Sequence, residues 1–110
     1  MTFIKSADGV FFADENLEKV FNSLPENDPI KKAIKRAIEN LKENAFCGER
    51  IRKELIPNFY IQKYKIDNLL WYPLPSGWRL VYSIMRDEVE LLAAILEWFD
   101  HKDYERRFNY

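Results

Sequence analysis

Ser76-Gly77-Trp78-Arg79-Leu80-Val81-Tyr82-Ser83-Ile84, with Ile95-Leu96-Glu97-Trp98-Phe99-Asp100-His101-Lys102-Asp103-Tyr104 downstream, carries the pattern of a turn, two strands and a polar ending. Pro75-Ser76-Gly77 reads as a turn, and a strand follows it. Period-two alternation puts Trp78, Leu80 and Tyr82 on one face and Arg79, Val81 and Ser83 on the other. A second, mostly apolar strand over 88–98 ends in a polar cluster that holds the single histidine, His101. An arginine among apolar strand neighbours is costly to bury unless it faces a groove or an anion. Arg79 is therefore the first candidate site residue.

Upstream, Leu69-Leu70-Trp71-Tyr72-Pro73-Leu74 reads as another strand, with Pro73 suited to an edge or an end. Strands at 68–74, 77–85 and 88–98 then form an antiparallel meander with a second turn at Arg86-Asp87. Nearer the start, Val10-Phe11-Phe12-Ala13 follows the turn signal Asp8-Gly9 and reads as a short strand. Asp14 caps a helix over 14–24 whose Leu17, Val20, Phe21 and Leu24 fall on one stripe, and Pro25 stops it. Asp28-Pro29 starts a second helix over 28–45. Its stripe runs through Ile30, Ile34, Ile38 and Leu41, with Lys31, Lys32, Lys35, Arg36 and Lys42 off it. The short connection implies an antiparallel helical hairpin, and Gly48 is the expected terminator of the second helix.

Residues 49–66 carry the weakest pattern, and 57–64 reads as a short helix. Asp100 to Phe108 closes the chain as another, with Asp100 its cap. The fold class is α+β: one antiparallel sheet with its helices packed on one face.

A chain of 110 residues with 47% apolar and 15% aromatic residues fits a single domain over 1–110. No apolar run reaches membrane-spanning length, and Met1-Thr2-Phe3-Ile4-Lys5 lacks a secretory apolar core, so a cytoplasmic protein without membrane contact is expected. One cysteine, Cys47, forms no internal disulfide, has no second histidine to activate it and reads as a small buried residue. Neither it nor His101 has partners at metal-ligand spacing, so no metal or cofactor is expected. The net charge of −1 is unevenly spread: residues 30–65 hold ten basic and four acidic groups. That middle third is either an anion-facing surface or a solvated helix face.

Gly77-Trp78-Arg79-Leu80-Val81-Tyr82 resembles the glycine-aromatic-arginine-apolar-apolar-tyrosine strand of the RelE/ParE superfamily of toxins. His101-Lys102-Asp103-Tyr104-Glu105-Arg106 resembles that family's C-terminal histidine-basic element, in a form similar to an archaeal subgroup. The resemblance covers nearly the whole chain in layout and implies a RelE-like fold, an antiparallel sheet against an N-terminal helical hairpin. Parallel pairing within the meander, or helices on both faces, would sink the family reading. It implies the toxin of a type II toxin–antitoxin pair, an endoribonuclease that needs no metal and cuts messenger RNA on the ribosome. A small antitoxin would silence it through an apolar groove. A binding protein on the same fold is the alternative, either a ParE-like gyrase inhibitor or a catalytically degenerate toxin. An unrelated structural domain is the third.

By resemblance, Arg79 takes the position that contacts the scissile phosphate, Tyr104 that of the tyrosine acting on the 2′-hydroxyl, and His101 and Lys102 are basic neighbours. The family's strand lysines are replaced here by Leu70 and Tyr72, which leaves Lys63 and Lys65 on the rim, with Arg106, as nucleic-acid contacts. The chemistry suits these residue types: guanidinium holds two phosphate oxygens and stays charged, and imidazole titrates near neutrality. Tyrosine would need cationic neighbours to act as a base. Each residue also has an ordinary reading. Arg79 would pair with Glu97 or Glu90, His101 would bond backbone at a helix start, and Tyr104 would pack. Trp71, Tyr72, Trp78 and Trp98 either stack RNA bases or fill the core.

Overall fold

Asp14, Asp28 and Asp100 each turn a carboxylate oxygen onto a backbone N–H two or three residues on, at 2.7 to 2.9 Å, and a helix starts at each. In this computed structural model, which describes residues 9–86 and 91–108, the order is β1 (Gly9–Phe12), α1 (Glu15–Ser23), α2 (Pro29–Glu43), β2 (Glu49–Arg50), α3 (Asn58–Tyr64), β3 (Leu70–Pro73), β4 (Arg79–Arg86), β5 (Leu91–Phe99) and α4 (His101–Phe108). Single helical turns at Lys53–Leu55 and Pro75–Gly77 complete it. The turn expected at Arg86-Asp87, the first residues of the strand expected from 88, and Met1 to Asp8 lie outside the described residues.

The fold is α+β, four helices on a mixed five-stranded sheet of order β1-β5-β4-β3-β2. The meander is antiparallel throughout, β3 on β4 and β4 on β5. The expectation of a wholly antiparallel sheet is corrected at β1, which runs parallel to β5 with Val10 opposite Ala93. The first strand thus lies beside the last, and everything between them serves as the long connection a parallel pair requires.

Helices cover both faces, which corrects the one-face expectation. Leu80, Tyr82, Ala93 and Ile95 pack with Phe21 of α1 and Ile34, Ala37 and Leu41 of α2. Val81, Ala94, Leu96 and Phe99 pack with Tyr60 of α3 and Tyr104 of α4. The reason lies in β4 and β5 themselves: both are apolar on successive residues, so each face of the sheet must be kept from water.

A β-bulge sets which β5 side chain goes where. Val81 pairs with Glu97 and Tyr82 with Ile95, so Leu96 is the extra residue. Leu96 and Glu97 consequently turn to the same side, toward α3 and α4. Trp98 turns to the other, edge-on to Phe12 and Phe21.

Four local expectations also change. The second helix ends at Glu43 with Asn44 as its C-cap, not at Gly48. Gly48 instead sits where backbones meet: a Cβ there would lie 2.6 Å from the Trp71 carbonyl and 2.8 Å from the Tyr82 hydroxyl. Lys31, expected in solvent, is 4% exposed. It donates to the Leu24 carbonyl at the end of α1 and to Glu26, and lies over the Phe21 ring. Cys47 is exposed rather than buried, because the chain has already left the helix there.

Candidate anion-binding site

Trp71 and Arg79 sit diagonally across the β3–β4 ladder, since Trp71 faces Val81 and Pro73 faces Arg79. Both turn to the α3/α4 side. The Arg79 guanidinium carbon lies 4.0 Å from the Trp71 ring centroid and 4.2 Å from that of Tyr104 on α4. Tyr104 stacks in turn on Phe108 at 4.6 Å and meets Phe99 edge-on. Two neighbours so close cannot share one face of a ring, so the stack runs Trp71, Arg79, Tyr104, Phe108.

This stack offsets part of the desolvation of a half-buried arginine, at about 0.5–2 kcal/mol per cation–π contact. It also fixes the plane of the guanidinium and leaves its N–H groups at the edge. Among the described residues no carboxylate lies within ion-pair distance of Arg79. The partners expected for it are otherwise placed: Glu97 accepts from Tyr60 and from Arg107, the latter at 2.8 Å, while Glu90 lies outside the described residues. A planar cation with covered faces and no counter-ion among the described residues suits a bidentate anion.

Of the other sequence candidates, Tyr104 joins Arg79 directly but is 3% exposed, with its ring engaged in the stack. His101 starts α4 with its Cβ 3.6 Å from where a Gly77 side chain would begin, two residues before Arg79. Its Nε2 is 2.8 Å from Glu105, one helical turn on. Lys102 is exposed beside it. Arg106 is paired with Asp103 at 3.7 Å and lines a shallow cleft beside Trp78 and Trp98. Lys63 contacts Asp14 at 3.5 Å and lies over the Phe59 and Tyr64 rings; Tyr64 and Asp14 hold its ammonium above the usual lysine range. Lys65 caps α3 and lines a cleft shared with Arg86, at the far end of β4 from Arg79. The structure thus brings Arg79 and Tyr104 into contact, sets His101 beside Gly77, and leaves Lys63 and Lys65 elsewhere.

Behind the stack, Tyr60 and Arg107 converge on Glu97. Burial, then the adjacent carboxylate, pushes the Tyr60 hydroxyl far above the ordinary tyrosine range, so it is a fixed donor. The triad ties α3, the β5 bulge and α4 together, and so holds Tyr104 against Arg79. Sequence reading missed Tyr60, Arg107 and the role of Trp71. Only Trp71 left a local signal: the turn at Pro75–Gly77 sets Pro73 opposite Arg79, which makes Trp71 its diagonal neighbour.

Among the described residues no group of three histidine, cysteine, aspartate or glutamate side chains is placed to hold a metal, and no helix is long and apolar enough to cross a membrane. The Cys47 thiol is pushed up by desolvation, which lowers its reactivity. Comparison with protein-family profiles, with curated proteins and with solved structures finds no match in any of the three.

Proposed function

We propose that this chain is a RelE-like toxin of a toxin–antitoxin pair, an endoribonuclease of the cytoplasm that cleaves messenger RNA on the ribosome without a metal and is silenced by a small antitoxin. One observation carries the reading: Arg79 is held between Trp71 and Tyr104 with no counter-ion among the described residues. The strand-helix-helix start, antiparallel meander and closing helix agree with the family's layout. Helices on both faces run against that layout, and the support comes from the Arg79 stack.

In this reaction the RNA 2′-hydroxyl attacks the adjacent phosphorus, and the 5′-oxygen leaves with a proton. Arg79 neutralises the charge that gathers on the non-bridging oxygens. His101, beside Gly77 and oriented by Glu105, is the group suited to move a proton. Tyr104 acts through Arg79, as a positioning residue, because its ring is occupied in the stack.

The test is growth inhibition on induction, with messenger RNA ends mapped in parallel. Arg79→Ala should reduce cleavage by about 10²–10³-fold with the fold intact by circular dichroism. Tyr104→Phe, which keeps the ring, should retain most activity. An Arg79→Ala chain as toxic as wild type overturns the nuclease reading.

The second reading, a non-nucleolytic binding protein on this fold, is favoured by the pairing of its cations. Lys31, Lys35, Lys42 and Lys63 are all tied to acids, as is Arg52 through Glu54, so half of the middle third's ten basic groups are already engaged. On that reading toxicity persists without new RNA ends, or is absent while a small partner still binds.

A further inference from the structure

A cleft of about 660 Å³ opens at the end of β4 opposite Arg79. Seven residue rises along the strand separate Arg79 from Arg86, roughly 23 Å. The floor is apolar, made by Ile51, Ile56, Ile66 and Leu70, with Phe46 on the wall. Arg50, Lys53, Lys65 and Arg86 also line it, and Asp67 is the one acid among its described lining residues. None of the four has a carboxylate within ion-pair distance among the described residues. This contrasts with Lys31, Lys35, Lys42 and Lys63 of the same basic third, each of which has one.

Two further features mark the cleft as built. Lys65 holds a left-handed backbone, φ 56° and ψ 41°, at the end of α3. Glycine is the residue that takes this conformation without strain, so Lys65 sits there at a backbone cost. The wall behind it is rigid. The Asn68 side chain both donates to the Ile84 carbonyl and accepts from the Ile84 N–H, each at 2.8 Å, and the Ser83 hydroxyl donates to the Asn68 carbonyl. These groups are already satisfied, which leaves the cations to do the recognising.

We propose that this cleft binds a small polyanion with a flat apolar body, of nucleoside polyphosphate chemistry: the phosphates against Arg50, Lys53, Lys65 and Arg86, the base on the isoleucine floor. The size falls within the range of small-molecule sites, and the mixture of apolar floor and convergent charge is what such a ligand requires. The site is separate from the Arg79 stack and does not rest on the function proposed for it.

Titration calorimetry of the full chain with ATP as probe, at about 0.15 M salt, tests it. Saturable binding is expected, with inorganic pyrophosphate weaker and adenosine weaker still. Lys53→Gln should weaken ATP binding about tenfold, the usual scale for one charge-assisted contact. Lys65→Gly is the sharper variant. It relieves the left-handed strain, so it should raise the melting temperature while weakening ATP binding, a pair of shifts that misfolding cannot produce. Arg79→Ala should leave ATP binding unchanged, so failure here and failure of the nuclease reading are told apart. Absence of ATP binding, or binding unaffected by Lys53→Gln and Lys65→Gly, overturns the proposal. So does preference for single-stranded RNA over ATP at equal phosphate concentration, which would make the cleft a nucleic-acid groove.

Discussion

The two faces of the sheet are built on different terms. Toward α1 and α2 the sheet presents Leu80, Tyr82, Ala93 and Ile95 to a long amphipathic helix, and the hydrogen bonds between sheet and helix side join neutral groups: Asn40 donates to the Tyr72 hydroxyl, and the Tyr82 hydroxyl to the Ala45 carbonyl. Toward α3 and α4 the helices have seven and eight residues, and the cover is completed by polar hooks: Tyr60 and Arg107 on Glu97, and Arg79 in its aromatic stack. A long helix can keep water off a face by apolar area alone. Short ones need directional contacts, and those contacts bring charge into half-buried places. The site and the face that is harder to cover are therefore the same.

If this contrast is right, truncating the first face should damage the whole molecule most. Ile34 is fully buried, and Ile34→Ala should lower stability by about 2–5 kcal/mol in chemical denaturation, with loss of every activity together. A loss confined to activity, with stability unchanged, would break the comparison. Gly48→Ala comes next. Its new methyl would press on the Trp71 carbonyl and the Tyr82 hydroxyl, at about 1–3 kcal/mol, and the strain falls on the pairing of β3 and β4 that positions Arg79.

Glu97→Gln should act on the second face alone. It removes a charge from between Tyr60 and Arg107, costs about 1–2 kcal/mol, and loosens α4. Faster hydrogen exchange in 101–108 with α2 unaffected would sharpen the comparison; equal change in both would erase it.

The smallest effects are those of pH. Burial raises the Tyr60 and Tyr82 hydroxyls above the ordinary value of 10.0, so both stay protonated in the fold. The unfolded chain ionises them near that value, hence the stability they contribute is present below about pH 10 and is lost as pH rises beyond it. Tyr60→Phe and Tyr82→Phe should each flatten part of that alkaline fall. At the acid end, Lys31 and Lys35 lower Glu26 from 4.5 to about 2. Its contribution is present above pH 4.5 and fades as pH drops toward 2, weakly, since Glu26 is exposed.

What the sequence determined by itself was everything decided within one turn or one strand. Asp14, Asp28 and Asp100 start helices because a carboxylate can reach its own backbone N–H groups. The antiparallel meander and the two faces of 78–83 follow from alternation and from the turn at Pro75–Gly77. Arg79 stood out because an arginine in an apolar strand needs an explanation. Tertiary structure decided the rest. The bulge at Leu96 sends Leu96 and Glu97 to the same face, against simple alternation. Lys31 is buried because α1 happens to end beside it, and Gly48 is required because two strands pass within reach. The stack joins Trp71 and Arg79, neighbours across one hairpin, to Tyr104, which no local pattern relates to either. Periodicity reports which side of an element meets water; what meets the other side depends on pairings between distant segments, and those are fixed only when the chain closes on itself.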